Sequence, residues 1–485
     1  MSTPTESETI ARAVERARAE GRTSWLARVV TGSVVDELVA DPLGGFAAAE
    51  RSDRFFWEQG ESGDLALAVG LADEIESAGS ERFSNVRSWA ADVRERIAWV
   101  GDPRAASSPL FFGGFGFEPT SRGSEEWKAF PAARFLLPSI IVSRLDGEAS
   151  AALIARIEPG ATQAGVEAEL AAHADALVAL ATRSPATADA PVDLEGEWGH
   201  GPEFRVQSDR PHAVFCAQVD DALAAFEEGE LEKVVLARSL SVVHDGFVDV
   251  PDFLARLRDL YPTCTLVAMG RGDDTFLAAT PELLVRSRGD DVATTALAGS
   301  APRGRTPEED RVLGDGLLSS AKERAEHAHV VEAVRDALSA RTVSLEVPET
   351  PVLRPLFGIQ HLETPIRGRL RSEHCDLIGL VEALHPTPAV GGVPAPAARA
   401  WLDRVEGLDR GWYAAPIGWL DLEGGGDFRV ALRSALIRNG ADEEGERSRS
   451  LLFAGAGLVA GSVPEQELAE TRIKLRALLA PLTEI

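Results

Sequence analysis

Apolar positions recur along the chain with two periods. Spacings of three and four, the signature of a helix with one buried face, predict helices over 7–19, 82–100, 165–182, 215–228, 319–340 and 464–479. Short alternating or continuous apolar runs predict strands at 64–72, 133–142, 233–243, 275–279, 283–286, 292–296, 429–437 and 450–454. In Leu110-Phe-Phe-Gly-Gly-Phe-Gly-Phe117, glycines alternate with aromatic residues, the pattern of strands that approach a neighbour closely. Many strands with few crossover helices predict an α+β protein built on layered antiparallel sheets with helices outside. No fixed-period repeat and no heptad is present.

Residues 184–201 are rich in Pro, Ala, Asp and Gly without periodicity and form the clearest linker. The segment exceeds the usual length of a connection. It separates residues 1–200 from 202–485, either as a boundary between two domains or as a surface loop within one fold.

Composition narrows the classes. The chain has 485 residues, 45% hydrophobic and 26% charged, as in ordinary globular proteins. No apolar run approaches the roughly 20 residues of a membrane helix, and the first 22 residues lack the apolar core of a signal peptide. A soluble cytoplasmic protein is expected. The formal charge of −28 argues against nucleic acid or an anionic membrane as partner, because phosphates are bound by basic patches. An anionic substrate would need local cations or a metal.

Cys216, Cys264 and Cys375 are too widely spaced for a metal motif or a disulfide framework and are expected to be small core residues. Only four of the 49 basic residues are lysines: Lys128, Lys233, Lys322 and Lys474. Arginine can replace lysine as a surface charge but not as an amine that must be neutral to accept a proton. A retained lysine is therefore a functional candidate. Chance retention is the alternative, expected for Lys128.

Several residues could carry chemistry. Lys322-Glu-Arg-Ala-Glu-His327 puts Glu323 and Glu326 on one helix face, and Glu467, Glu470 and Lys474 share a face of the last helix. Converging carboxylates of this kind suit Mg2+, a hard ion that keeps waters and bridges to anions; by spacing alone a solvated face is the favoured reading. Glu282, in Thr280-Pro-Glu-Leu-Leu284 between two apolar stretches, is either a desolvated general acid or a turn glutamate facing water. Ala298-Gly-Ser300 and Ala454-Gly-Ala-Gly-Leu458 read as small-residue turns beside strands, with backbone N–H groups available to a carboxylate or no role beyond the turn. His361 and His385 are candidate polar anchors, while His327 and His329 read as decoration of their helix. Arg433, in a strand-like run, suits either a substrate carboxylate or a structural ion pair, and Tyr413 is one of only two tyrosines. Neither a nucleotide-binding signature nor a Gly-x-Ser-x-Gly elbow is present.

The order of these motifs resembles the chorismate-utilising enzymes. The matching runs are Lys233-Val-Val-Leu-Ala-Arg238, Thr280-Pro-Glu-Leu-Leu284, Leu297-Ala-Gly-Ser300, Lys322-Glu-Arg-Ala-Glu-His327, His385-Pro-Thr-Pro-Ala-Val390, Arg433 and Ala454-Gly-Ala-Gly457 through Lys474. The resemblance implies the layered chorismate-binding fold of anthranilate and aminodeoxychorismate synthases, with 202–485 as its catalytic part and 1–200 more variable. It implies chorismate as substrate and Mg2+ as cofactor, with Glu326 and Glu470 as metal ligands and Glu323 and Glu467 as ligands through water. Gly299, Ser300, His361, Ala389, Tyr413, Arg433, Gly455 and Lys474 match substrate contacts. Lys233 matches the base of the members that add water, which the ammonia users lack, so no glutamine amidotransferase partner is expected. Glu282 matches the acid. The tract Thr387-Pro-Ala-Val-Gly-Gly392 is similar to isochorismate synthases, with salicylate synthase the alternative, and Trp412-Tyr-Ala414 is similar to the menaquinone branch, with a siderophore-pathway isochorismate synthase the alternative there. A monomer is expected.

Overall fold

The computed structural model describes residues 5–102, 109–120, 122–182, 204–371, 376–440 and 448–483; the 184–201 linker and Cys375 lie outside them. Two sheets, one of 13 strands and one of ten, carry the described chain. In the larger, Lys233–His244, Ser448–Val459, Ser434–Arg438, Asp274–Thr280, Thr265–Arg271, Arg54–Gln59 and Leu65–Val69 lie side by side. In the smaller, the run is Ile359–Leu370, Asp291–Pro302, Leu283–Arg288, Gly426–Val430, Pro416–Asp421 and Pro109–Phe115. Strands from either side of residue 201 share both sheets: Arg54–Gln59 pairs with Thr265–Arg271, and Pro109–Phe115 with Pro416–Asp421. Among the described residues, pairing is antiparallel except between Ser24–Val30 and Ile97–Val100.

The two inner faces meet in an aromatic layer. Phe55 reaches Phe112 across it at 5.1 Å between centroids, and Trp57 meets Trp419 edge-on at 5.9 Å. Such pairs add about 0.5–1.5 kcal/mol beyond the burial of their surface. Within the smaller sheet, the glycines of the aromatic run permit close approach of the neighbouring strand Ala133–Leu137: a Cβ on Gly113 would lie 2.1 Å from the Arg134 carbonyl oxygen. Helices pack on the outer face of the larger sheet over a second apolar layer. Val250–Leu260 shows why they form. Asp249 accepts from the Asp252 N–H at 2.9 Å, Pro251 occupies the first turn, and Val250, Phe253, Leu254 and Leu257 are buried at helical spacing. Among the described residues, no helix is long and apolar enough to cross a membrane.

Three stretches read as single elements turn out to be two elements each. The run at 82–100 is helix Arg82–Arg96 followed by strand Ile97–Val100. At 133–142, Pro138 ends Ala133–Leu137 in the smaller sheet, and Ile140–Leu145 begins in the larger. The run at 429–437 likewise divides into Gly426–Val430 and Ser434–Arg438, one in each sheet. Both sheets bury apolar side chains, so the hydrophobic pattern runs on unchanged where the chain passes between them.

Candidate active site

Two of these passages between sheets lie together. Segment 280–283 links Asp274–Thr280 of the larger sheet to Leu283–Arg288 of the smaller, and 430–434 makes the reverse journey. Each satisfies the other's backbone: Thr280 Oγ1 donates to the Val430 carbonyl at 2.6 Å, and Val430 N–H donates to the Glu282 carbonyl at 3.2 Å. The seam so formed holds Glu282 and Arg433 against one pocket of about 110 Å³. Arg433 is not in a strand, as its run predicts, but at the corner, with a left-handed backbone (φ 48°) that costs a non-glycine residue about 1–3 kcal/mol.

Two helices close the pocket. Ala321–Ser339 packs on strand Asp291–Pro302 and carries Glu323 and Glu326; Pro464–Thr483 packs on Ser448–Val459 and carries Glu467, Glu470 and Lys474. All five side chains line the pocket with Lys322, Glu282, Gly299, Ser300, His361, Ala389, Tyr413, Arg433 and Gly455. Lys233 lies just behind the lining, 1% exposed, its Nζ 2.9 Å from Glu326 Oε1. Three of the four lysines are therefore at this site, while Lys128 pairs on the surface with Glu125. His385 lies half-buried elsewhere, edge-on to Phe117. His327 is not decoration: it is buried and ties its helix to the smaller sheet through Ala298 and Thr364. The two small-residue runs are strand interiors rather than turns, and Gly299 forms a bulge between Ala298 and Ser300.

Burial sets the electrostatics. Glu282 is 2% exposed, and desolvation pushes its carboxyl up to about 8 against the pull of Lys233 and Arg433. Burial also raises Glu323 and Glu467, helped by the neighbouring carboxylates Glu326 and Glu470. His361 is held well below its usual range by burial and by Arg433 and Lys474, and so is neutral. Arg433 Nη2 stands 3.4 Å from His361 Nε2, which makes that nitrogen the acceptor and leaves Nδ1–H to donate to Ser300 Oγ at 2.9 Å. Arg433 lines the same pocket, and its Nη1 is buried without a hydrogen-bond partner. Lys474 Nζ donates to the Gly455 carbonyl at 2.9 Å and pairs with Glu470 at 2.7 Å. Among the described residues, no three Asp, Glu, His or Cys side chains could hold a metal ion by themselves. A wider cleft of about 840 Å³ opens beyond Phe453 but shares none of the predicted residues.

Sequence reading missed Gly457, whose missing side chain leaves room for the Lys233–Glu326 pair: a Cβ there would lie 2.5 Å from Glu326 Oε1 and 3.6 Å from Lys233 Cε. The signal was available, since Gly455 and Gly457 fall on one face of a strand. Phe453 was missed too; it stacks on Tyr413 at 5.3 Å.

Comparison with known proteins bears on this geometry. A family model described as chorismate binding enzyme matches residues 13–483. The chain is 40% identical over 474 residues to the salicylate biosynthesis isochorismate synthase of Pseudomonas aeruginosa, covering 96% of this chain and 93% of that one. It is 34% identical over 466 residues to the isochorismate synthase MenF of Bacillus subtilis, covering 91% of each. The solved menaquinone-specific isochorismate synthase of Escherichia coli has a TM-score of 0.73 at 25% identity, covering 98% of this chain and 100% of that one. The fold is thus that of the chorismate-converting synthases. The chain belongs to the chorismate-binding enzyme family, and within it resembles the isochorismate synthases.

Gly457→Ala should leave thermal stability nearly unchanged, because the atom it meets is the tip of a flexible side chain. It should lower kcat by about 10²-fold, the scale of a 1 Å displacement in a reacting group; steady-state kinetics beside a melting curve checks both.

Proposed function

We propose that the protein is an isochorismate synthase: water adds at ring carbon 2 of chorismate, the double bonds shift, and the carbon-4 hydroxyl leaves. The observation that carries this reading is Glu282, a carboxyl kept protonated near neutrality by burial, at about 8, in the pocket beside which Lys233 lies. A departing hydroxide needs a proton, and water needs a base. Glu282 is assigned the first role. Lys233 is assigned the second; the ammonium paired with Glu326 must first give up a proton, after which the neutral amine can take one from water. The unpaired Arg433 Nη1 suits a substrate carboxylate, and Ser300, Tyr413, Lys474 and the Gly455 backbone complete the polar lining.

Mg2+ is proposed as cofactor on the donor chemistry. Four carboxylates on two facing helices supply hard oxygens, and burial with mutual repulsion already raises Glu323 and Glu467. Glu326 and Glu470 would hold the ion, with Glu323 and Glu467 through water. Fewer than three protein ligands suits an ion that keeps waters and takes an anionic substrate as a further ligand. When bound, it would neutralise a carboxylate of chorismate.

Menaquinone biosynthesis is the proposed destination, supported by the likeness of Trp412-Tyr-Ala414 to that branch. Deleting the gene should deplete menaquinone; loss of a salicylate-derived product instead would move the protein to the pathway named for the Pseudomonas relative.

Incubation with chorismate and Mg2+, with products resolved by chromatography, should give isochorismate without pyruvate. Salicylate with pyruvate would make it a lyase. Lys233→Ala should abolish turnover while chorismate still binds. For Glu282 the protonated form is the active one, so kcat/KM should fall as pH rises through about 8. Glu282→Gln should remove that descending limb and cost about 10²–10⁴-fold. Glu470→Ala should weaken the Mg2+ dependence of activity and Mg2+ binding by calorimetry; an unchanged titration removes Glu470 from the metal site.

A further inference from the structure

The strand that begins with Lys233 has an incomplete edge. Opposite Ser448–Val459, its outer side pairs with Gly392–Val393 only at Lys233 and Val234, and with Phe204–Ser208 only from Leu240 to His244. Among the described residues, 235–239 between them have no strand neighbour there, yet Val235 and Ala237 are buried. Backbone groups left unpaired in such a place cost about 1–3 kcal/mol each.

Backbone closes the two ends of the gap, Val235 N–H donating to the Gly391 carbonyl at 2.8 Å and Asp209 N–H to the Ser239 carbonyl at 3.1 Å, and a side-chain pair fills the middle. Arg410 Nη2 donates to the Val235 carbonyl at 2.6 Å, and the Ala237 N–H donates to Glu406 Oε2 at 2.8 Å. Arg410 binds Glu406 through Nε and Nη2, both at 2.6 Å, and reaches the Val390 carbonyl through Nη1 at 2.8 Å. Its guanidinium lies over the Phe117 ring, 4.2 Å from the centroid. Three residues on, Tyr413 N–H donates to the Arg410 carbonyl at 2.9 Å. Val235, Val390 and Tyr413 all line the pocket. A buried ion pair is ordinarily replaceable by apolar side chains at little cost. Here an apolar pair could satisfy neither Val235 nor Ala237.

We propose that Arg410, with Glu406, is a positioning residue of the active site: the pair stands in for the missing strand and fixes two pocket walls relative to the strand bearing Lys233. The inference rests on the reading of this pocket as the site where chorismate is bound and converted. Lysine cannot replace this arginine, because one ammonium cannot reach two carbonyls and two carboxylate oxygens in the planar fork that guanidinium provides.

The test compares Arg410→Lys with Arg134→Lys, which disturbs an equally buried arginine, paired with Asp53 and Glu74, outside the pocket lining. Two quantities are read on folded protein: KM and kcat for chorismate, and amide hydrogen exchange of segment 233–239. Arg410→Lys is expected to raise KM about tenfold, change kcat less, and speed that exchange, with KM and exchange unaltered in Arg134→Lys. Wild-type KM and exchange in Arg410→Lys, or an equal rise of KM in both variants, would overturn the proposal. If Arg410→Lys does not fold, Glu406→Gln decides: faster exchange and a several-fold rise in KM support the pair, and wild-type values overturn it. Exchange needs no substrate, so it decides the positioning role even if wild-type protein fails to convert chorismate, a result that would overturn only the assigned reaction.

Discussion

Backbone polar groups cannot be left unpaired where a strand abandons its sheet, and at 280–283 and 430–434 the two departing segments satisfy one another. Thr280, Glu282, Val430 and Arg433 exchange these bonds, with Ala279 N–H donating to the Arg433 carbonyl at 3.1 Å. Both strands must change sheets at one level for the pattern to close. That single requirement places a carboxyl and a guanidinium at the seam, one fully desolvated and the other held in a strained backbone. The helices carrying the glutamates then have fixed beds, one on each sheet, so their acidic faces meet over the seam.

The electrostatics follow from that meeting. A chain of net charge −28 brings four glutamates together around a small pocket, which is unfavourable unless cations are interleaved. Lys233 contacts Glu326, Lys474 contacts Glu470, and Lys322 lies 3.6 Å from Glu467. Arg433 adds a buried positive charge with one nitrogen unpaired. The site is thus a locally balanced mixture inside an acidic protein, able to accept an anion and, on the proposed reading, the ion that accompanies it. Glu282 differs from the other acids because it is 2% exposed and, among the described residues, forms no ion pair, so proton retention rather than pairing relieves its burial.

Much of this was legible in the residues. Helical spacing located the glutamate-bearing helices, and the scarcity of lysine singled out three amines that stand at the site. The seam was not legible. In the run 429–437 apolar residues continue on both sides of Arg433, and a hydrophobic pattern reports burial without saying in which sheet, so Arg433 read as strand. The small-residue runs read as turns for the same reason: Gly455 and Gly457 are small because Tyr413 and Glu326 need their space, and those neighbours are distant in sequence.

The sequence by itself determined the periodicities, the antiparallel α+β character, the chemical types available and, through the order of its motifs, the family. These are properties of nearest neighbours along the chain and of composition. Tertiary structure alone decided that Glu282 is dry, that Arg433 keeps a nitrogen unpaired, and that Arg410 and Glu406 complete a strand edge far from them in sequence. Desolvation and hydrogen-bond satisfaction depend on which segments meet, and that is settled only when the two sheets close upon each other.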